Sequence, residues 1–384
     1  MKPILRFTNF DNDWEKIKLL KIASEISYGM NAASKEYDGE NKYIRITDID
    51  EQTNKYIHKN IVSPDGNLEE KFLVKENDIL FARTGASTGK TYLYDKNDGK
   101  LYYAGFLIKA NIINHNANFI FQQTKLNKYN NWVKIMSMRS GQPGINSQEY
   151  GSYKFSITSP EEETKVANFL SLLDKKIELQ SKKIEDLKLF KLELKERLFK
   201  IFETKQIELK DIIIKWNKKN KDNKYSYVES VSNKYGFIAQ NEQFEDRNVA
   251  SNDTKNYYVI EKGVFAYNPS RLNVGSLALK GNNKVSLVSP LYECFITNQN
   301  NKFLYEWFNS KEFKKGTVSK FEGGVRNTLN FSNLCKIKIS LPSLENQNKI
   351  SNILNLYNNL IGLESQKLNK LIELKKGLMQ SMFV

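Results

Sequence analysis

From Val166 an apolar ladder runs Val166, Leu170, Leu173, Ile177, Gln180, Ile184, Leu187, Lys191, Leu194, Leu198, and from Ile350 it runs again as Ile350, Leu354, Tyr357, Ile361, Glu364, Leu368, Leu371, Lys375, Leu378, Met382. Every member of the second series follows its counterpart in the first at one constant offset, from Val166 and Ile350 to Leu198 and Met382, without a gap. Even the polar interruptions coincide, Gln180 with Glu364 and Lys191 with Lys375. Steps alternating between four and three residues mark a coiled-coil seam. Two such seams, each after a globular stretch, predict two long helices packed on each other and a chain built as an internal repeat.

Working outward, the segment before each helix repeats as well. Pro160 precedes the first ladder and Pro342 the second, and Glu161, Glu162 and Glu163 place negative charge where a helix dipole favours it. Residues 17–22 are echoed at 207–212, and residues 74–89 at 260–275, with offsets that drift slightly between the two pairs, as loop changes in a duplicated domain would make them. Strand-like runs at 42–46, 79–82 and 101–108 lie between Gly, Asn and Asp turns. The expected fold class is α+β: two related globular domains, residues 1–160 and 205–342, with long antiparallel coiled-coil helices at 161–204 and 343–384, related by a pseudo-twofold repeat.

The chain has 384 residues, a formal net charge of +15 and 40% hydrophobic residues, so it can bury two cores and carries a charge excess suited to a polyanion. Codon bias in an AT-rich genome is the competing explanation of that excess. Two cysteines and two histidines argue against a disulfide framework and a His/Cys metal site. Residues 2–6 do not lead into an apolar stretch, and no apolar run approaches the roughly 20 residues that span a bilayer, so a cytoplasmic protein is expected.

Motifs for catalysis fail on inspection. The stretch Gly85-Ala86-Ser87-Thr88-Gly89-Lys90-Thr91 has three residues between its glycines where a nucleotide-binding P-loop needs four, and Tyr92-Leu93-Tyr94 after it reads as strand. Asn268-Pro269 is followed by Ser270 and Arg271, not by the Pro-aromatic pair of amino-methyltransferases. Pro64-Asp65 stands too close to Glu69-Glu70-Lys71 for a nuclease metal site and reads as a turn. What the two equivalent loops do share is Arg, hydroxyl or amide side chains, and Gly. Glycine permits close backbone approach, hydroxyls and amides bind phosphate, and Arg reaches guanine edges. Loops with a similar make-up precede the helices at 138–146 and 320–329. The candidate DNA-binding residues are therefore Arg83, Thr84, Gly85, Ser87, Lys90, Arg139 and Gln142 in the first half, and Asn268, Ser270, Arg271, Asn273, Lys320 and Arg326 in the second. A purely structural role for these turns is the alternative reading of each.

With Asp78-Ile79-Leu80-Phe81-Ala82-Arg83-Thr84-Gly85, Tyr267-Asn268-Pro269-Ser270-Arg271, Ser159-Pro160, Leu341-Pro342 and Lys375-Lys376-Gly377-Leu378-Met379-Gln380 together, nearly the whole chain resembles the DNA-specificity subunit of type I restriction–modification systems. The resemblance implies two target-recognition domains, each reading half of a split double-stranded DNA site. It implies helices that set the separation and dock two copies of an adenine methyltransferase (modification) subunit. Motor-nuclease (restriction) subunits would complete the complex. S-adenosylmethionine, ATP and Mg would sit on those partners, with no cofactor, metal or catalytic residue on this chain. The competing class is a coiled-coil scaffold whose heads bind proteins, and a third is a catalytic nuclease or methyltransferase fusion.

Overall fold

The computed structural model describes residues 1–138, 141–233, 236–239, 253–318, 320 and 328–384. They form two compact units, one of Met1–Lys182 with Ser365–Val384 and one of Lys183–Glu364. Each unit holds a head and parts of both long helices, Pro160–Ile201 and Leu344–Met382.

In the first head, a four-stranded antiparallel sheet runs in the order Ala23–Tyr28, Leu107–Ile112, Asp78–Ala82, Thr91–Leu93. The second head repeats it as Ile213–Lys215, Glu293–Thr297, Phe265–Tyr267, Leu277–Leu279. The central strand Asp78–Ala82 is buried at every position, as a strand covered on both faces must be. A second ribbon closes each head near its helix: Glu15–Lys18 pairs with Lys154–Ile157, and Thr204–Glu208 with Lys338–Pro342. Ile17 faces Phe155 and Ile207 faces Ile339 in the same registers, so the sequence echo marks a structural equivalence.

The structure differs from the sequence reading in three local respects. The run 101–108 is two strands, Leu101–Tyr103 and Leu107–Ile112, broken where Gly105 and Phe106 turn the chain. The run 42–46 is strand only over Lys42–Ile44, after which Ile46–Asp48 tightens into a 3-10 turn. Pro64-Asp65 is not a turn but the end of the strand Val62–Asp65, which pairs with Ala33–Glu36. Proline is tolerated there because a two-stranded ribbon is all edge.

Every ladder position on the two long helices is buried or half-buried. In the second unit Lys183 pairs with Glu364 at 2.5 Å, and one heptad on, Phe190 meets Tyr357 at 5.4 Å between ring centroids, so the helices run antiparallel. In the first unit Val166, Ala167 and Leu170 share the head core with Met379, Met382 and Phe383. The second core takes Leu198, Ile350 and Leu354, with Leu194 and Phe199 packed against it. Each head is thus capped by the start of one long helix and the end of the other.

Candidate nucleic-acid interface

The strand Asp78–Ala82 delivers the chain into the loop that begins at Arg83. The Arg83 N–H donates to the Phe106 carbonyl at 3.0 Å, and Gly85–Ser87 closes a single 3-10 turn. Gly89 must be glycine twice over. Its φ is +90°, and a Cβ there would stand 2.5 Å from Val133 Cγ1. Tyr150 holds the same spot, donating to the Ala82 carbonyl at 2.7 Å and accepting from the Gly89 N–H at 3.1 Å, while the Tyr129 hydroxyl donates to the Gly89 carbonyl at 3.1 Å. Burial pushes both tyrosines upward in pKa, so they remain neutral donors. The strand Thr91–Leu93 follows at once, without the helix that a P-loop requires.

Folding brings the first pair of candidate loops together. Thr84 bridges Gly144, the Gly85 N–H donates to the Pro143 carbonyl at 2.9 Å, and the Ile145 N–H donates to the Arg83 carbonyl at 2.9 Å. Gln142 is exposed, and its Nε2 lies 3.1 Å from where a Gly85 Cβ would project. Arg83, Thr84, Gly85 and Gln142 therefore form one surface. The Arg83 guanidinium lies 4.8 Å from the Tyr28 ring centroid and touches the Gly105 carbonyl at 3.4 Å. That stacking holds a long cation in place and lowers the entropy lost when it meets a ligand. Burial alone would raise the Tyr28 hydroxyl, but hydrogen bonds from Ser147 and the Arg83 charge outweigh it and bring its pKa below the ordinary value.

Lys90 does not join this surface. Its ammonium donates to the Ile49 carbonyl at 3.1 Å and lies 3.5 Å from Glu51. Together with Ser87 it lines a separate cleft bearing Asp50 and Glu51, an acidic setting that disfavours phosphate.

In the second head, the Asn268 side chain accepts from the Ser270 N–H at 3.0 Å and caps the 3-10 helix Pro269–Val274, with Pro269 at its start and Gly275 in the left-handed region after it. Ser270 and Arg271 are exposed, and Asn273 belongs to the same turn. The Leu329 N–H donates to the Pro269 carbonyl at 3.1 Å, the counterpart of the bond from Ile145 to Arg83. The same joint, from a buried apolar residue to the first residue of the loop, thus recurs in both heads. Lys320 is half-buried, and its carbonyl accepts from Asn333 at 3.2 Å. Arg139 and Arg326 lie outside the described residues.

Motif reading missed Tyr28 and Phe106, which come from a strand and a turn remote in sequence. Among the described residues there is no group of His, Cys, Asp and Glu able to hold a metal ion, and no helix is long and apolar enough to cross a membrane.

Comparison with known proteins bears on the same architecture. A putative type I restriction enzyme MjaX specificity subunit of Methanocaldococcus jannaschii is 27% identical over 176 residues, which is 43% of this chain and 41% of that protein, so the match spans less than half of the curated relative. Among solved structures, the S subunit of a type I restriction-modification system from M. genitalium matches with a TM-score of 0.58 at 16% identity, over 100% of this chain and 99% of that one. A chain from a study of complex assembly and conformational transition in the type I R-M system matches with a TM-score of 0.56 at 14% identity, over 96% and 97% of the two chains. At these identities the likeness is one of fold. A family model for the type I restriction modification DNA specificity domain matches residues 12–189 and again residues 198–373. Since the two matches account for both halves of the repeat, the chain belongs to the type I restriction-modification DNA specificity family.

Proposed function

We propose that this chain recognises a bipartite double-stranded DNA site as the non-catalytic specificity subunit of a type I restriction–modification complex, each head reading one half. The observation that carries this reading is the repeated joint. Two heads present an Arg-bearing loop at the end of the same sheet strand, braced by the same bond from the pre-helix loop. Arg83 with Thr84, Gly85 and Gln142 would serve one half-site, and Asn268, Ser270 and Arg271 the other. Asn273 and Lys320 are assigned to the second half-site from their loops, and Arg139 and Arg326, which lie outside the described residues, are assigned to DNA contact from the sequence alone. Ser87 and Lys90 are assigned to shaping the first loop.

The helices support a further part of the reading. Leu172 and Leu179 are 67% and 58% exposed, and their counterparts in the second ladder's helix, Leu356 and Leu363, are 67% and 65% exposed. Repeated unburied leucines favour a partner present in two copies, here the adenine methyltransferase (modification) subunit, with restriction subunits added in a complete system. S-adenosylmethionine, ATP and Mg then belong to those partners, and the assembly works on DNA in the cytoplasm. A protein scaffold would not need the basic loops. Methylome sequencing of cells with and without this chain tests the reading: a split adenine-methylated motif should vanish on deletion. Robust ATPase or methylation by the pure chain would overturn the non-catalytic assignment.

A further inference from the structure

Phe106 is 63% exposed although its carbonyl and both neighbouring amides are hydrogen-bonded. Its carbonyl accepts from Arg83, the neighbouring Gly105 N–H donates to Met30 at 2.8 Å, and the Leu107 N–H donates to Ala104 at 2.8 Å. Gly29 packs against this turn so closely that a Cβ would stand 2.2 Å from the Ala104 oxygen. The turn is rigid, yet it holds a phenyl ring in water, which forfeits the gain that burial gives an aromatic side chain.

The second head does the same. Leu291 is 76% exposed in the turn that enters Glu293–Thr297, as Phe106 is in the turn that enters Leu107–Ile112. Phe106 faces Arg83 across the sheet. Counting on from the pair Tyr267↔Glu293, Leu291 falls opposite Pro269, the residue equivalent to Arg83. An isolated exposed apolar residue needs no explanation. Two at the same turn, each beside the Arg-bearing loop of a family that specifies DNA, do.

We propose that Phe106 and Leu291 are specificity-determining residues that each pack on the C5-methyl group of a thymine in their own half-site. This deepens the DNA-recognition reading above and rests on it. The two side chains share an apolar surface but not a π-face, so base stacking cannot be their common role. The apolar feature of the major groove is the thymine methyl. Arg83 beside Phe106 would supply the hydrogen bonds that a methyl cannot.

The test uses the assembly purified on a tagged full-length chain. Selection from a randomised duplex pool gives the half-sites, which are then remade with deoxyuridine at each thymidine in turn, removing only the methyl. Phe106→Ala should weaken binding roughly tenfold, the scale of losing one buried apolar contact. One deoxyuridine in one half should weaken the wild type about as much and leave the variant unaffected. Leu291→Ala should behave likewise in the other half, and Phe106→Leu should keep most of the affinity. Both side chains are exposed, so the variants should melt as the wild type does. Unchanged affinity, a loss that persists on deoxyuridine duplexes, or half-sites without thymine would overturn the inference while leaving DNA recognition intact. Selection of no split motif by the wild type would overturn the underlying reading as well.

Discussion

Lys375 pairs with Asp174 at 2.5 Å, and in the other half of the repeat the matching lysine, Lys191, pairs at 2.8 Å with an acid from a different element, Glu306. The exchange is reciprocal. Asp174 sits on a long helix beside Gln122 of the head, at 3.3 Å, whereas Asn358 occupies the helix position beside Glu306 of the head, at 3.4 Å. Asn358 and Glu306 follow Asp174 and Gln122 at the same offset that relates the two ladders. One carboxylate and one amide have changed places around an unchanged lysine. The lysine in each seam is answered in both cases, because a largely buried ammonium without a counter-charge would be costly.

That exchange predicts a rescue. Glu306→Gln removes the carboxylate that Lys191 and Lys195 share, leaving Lys195, buried and already lowered in pKa by that burial, with only the Asn309 carbonyl at 2.9 Å, and should cost roughly 2–4 kcal/mol. Adding Asn358→Asp rebuilds the arrangement of the first half and should restore most of the loss. Chemical denaturation of wild type, single and double variants checks this. A double variant no more stable than the single would show the two sites are not equivalent.

The repeat also predicts that a fragment of residues 1–202 dimerises. Leu194, Leu198 and Phe199 pack on the second core as Leu378, Met382 and Phe383 pack on the first, each pair related by the ladder offset. In a symmetric dimer the former would take the latter's place, and Lys191 of one copy would meet Asp174 of the other. Light scattering should give twice the fragment mass, with Gln180 and Lys191 weakening the seam enough to require high concentration or the modification partners. A monomer under all these conditions would refute interchangeable helices.

Arg83→Ala and Arg271→Ala should each weaken binding to the selected duplex by roughly 1–3 kcal/mol, and in different half-sites. Titration against duplexes altered in one half at a time reads this out. A loss equal for all sequences would assign the side chains to phosphate instead.

The glycines of the two loops should part company. Gly89→Ala meets both a φ of +90° and Val133, and should destabilise the first head by roughly 2–4 kcal/mol. Gly275→Ala has a φ of +89° but open space, and should cost about 1–2 kcal/mol. Urea denaturation of the two variants should rank them in that order.

Acid should loosen the first unit at Glu162. Burial resists ionisation there, but hydrogen bonds from Arg6 at 2.7 and 2.8 Å, Thr158 at 2.5 Å and Trp14 at 3.2 Å outweigh it, and the pKa falls below the ordinary 4.5. A carboxyl with a depressed folded pKa adds stability above its unfolded value, and that stability is lost as pH falls through the folded pKa. Thermal melts should therefore drop below about pH 4.5, more steeply in wild type than in Glu162→Gln. Parallel acid limbs in the two proteins would exclude Glu162 as the cause.

Sequence alone determined the repeat, the two helices and the equivalence of the loops, because each depends on periodicity or a fixed offset along the chain. The ladders predicted long helices at 161–204 and 343–384, because seam residues must recur every three or four positions, and the structure has them at Pro160–Ile201 and Leu344–Met382. The P-loop failure was equally legible, as a spacing. Tertiary structure alone decided which candidates share a surface. Gln142 reaches Gly85 and Tyr28 reaches Arg83 across long sequence separations, whereas Lys90, close to Arg83 along the chain, turns to Ile49 and Glu51. Side chains near in sequence leave a sheet edge in different directions, and no local pattern records where each goes. The swapped acids of the seam mark the same boundary: the lysines could be read as matched, but their partners come from elements that only folding brings to them.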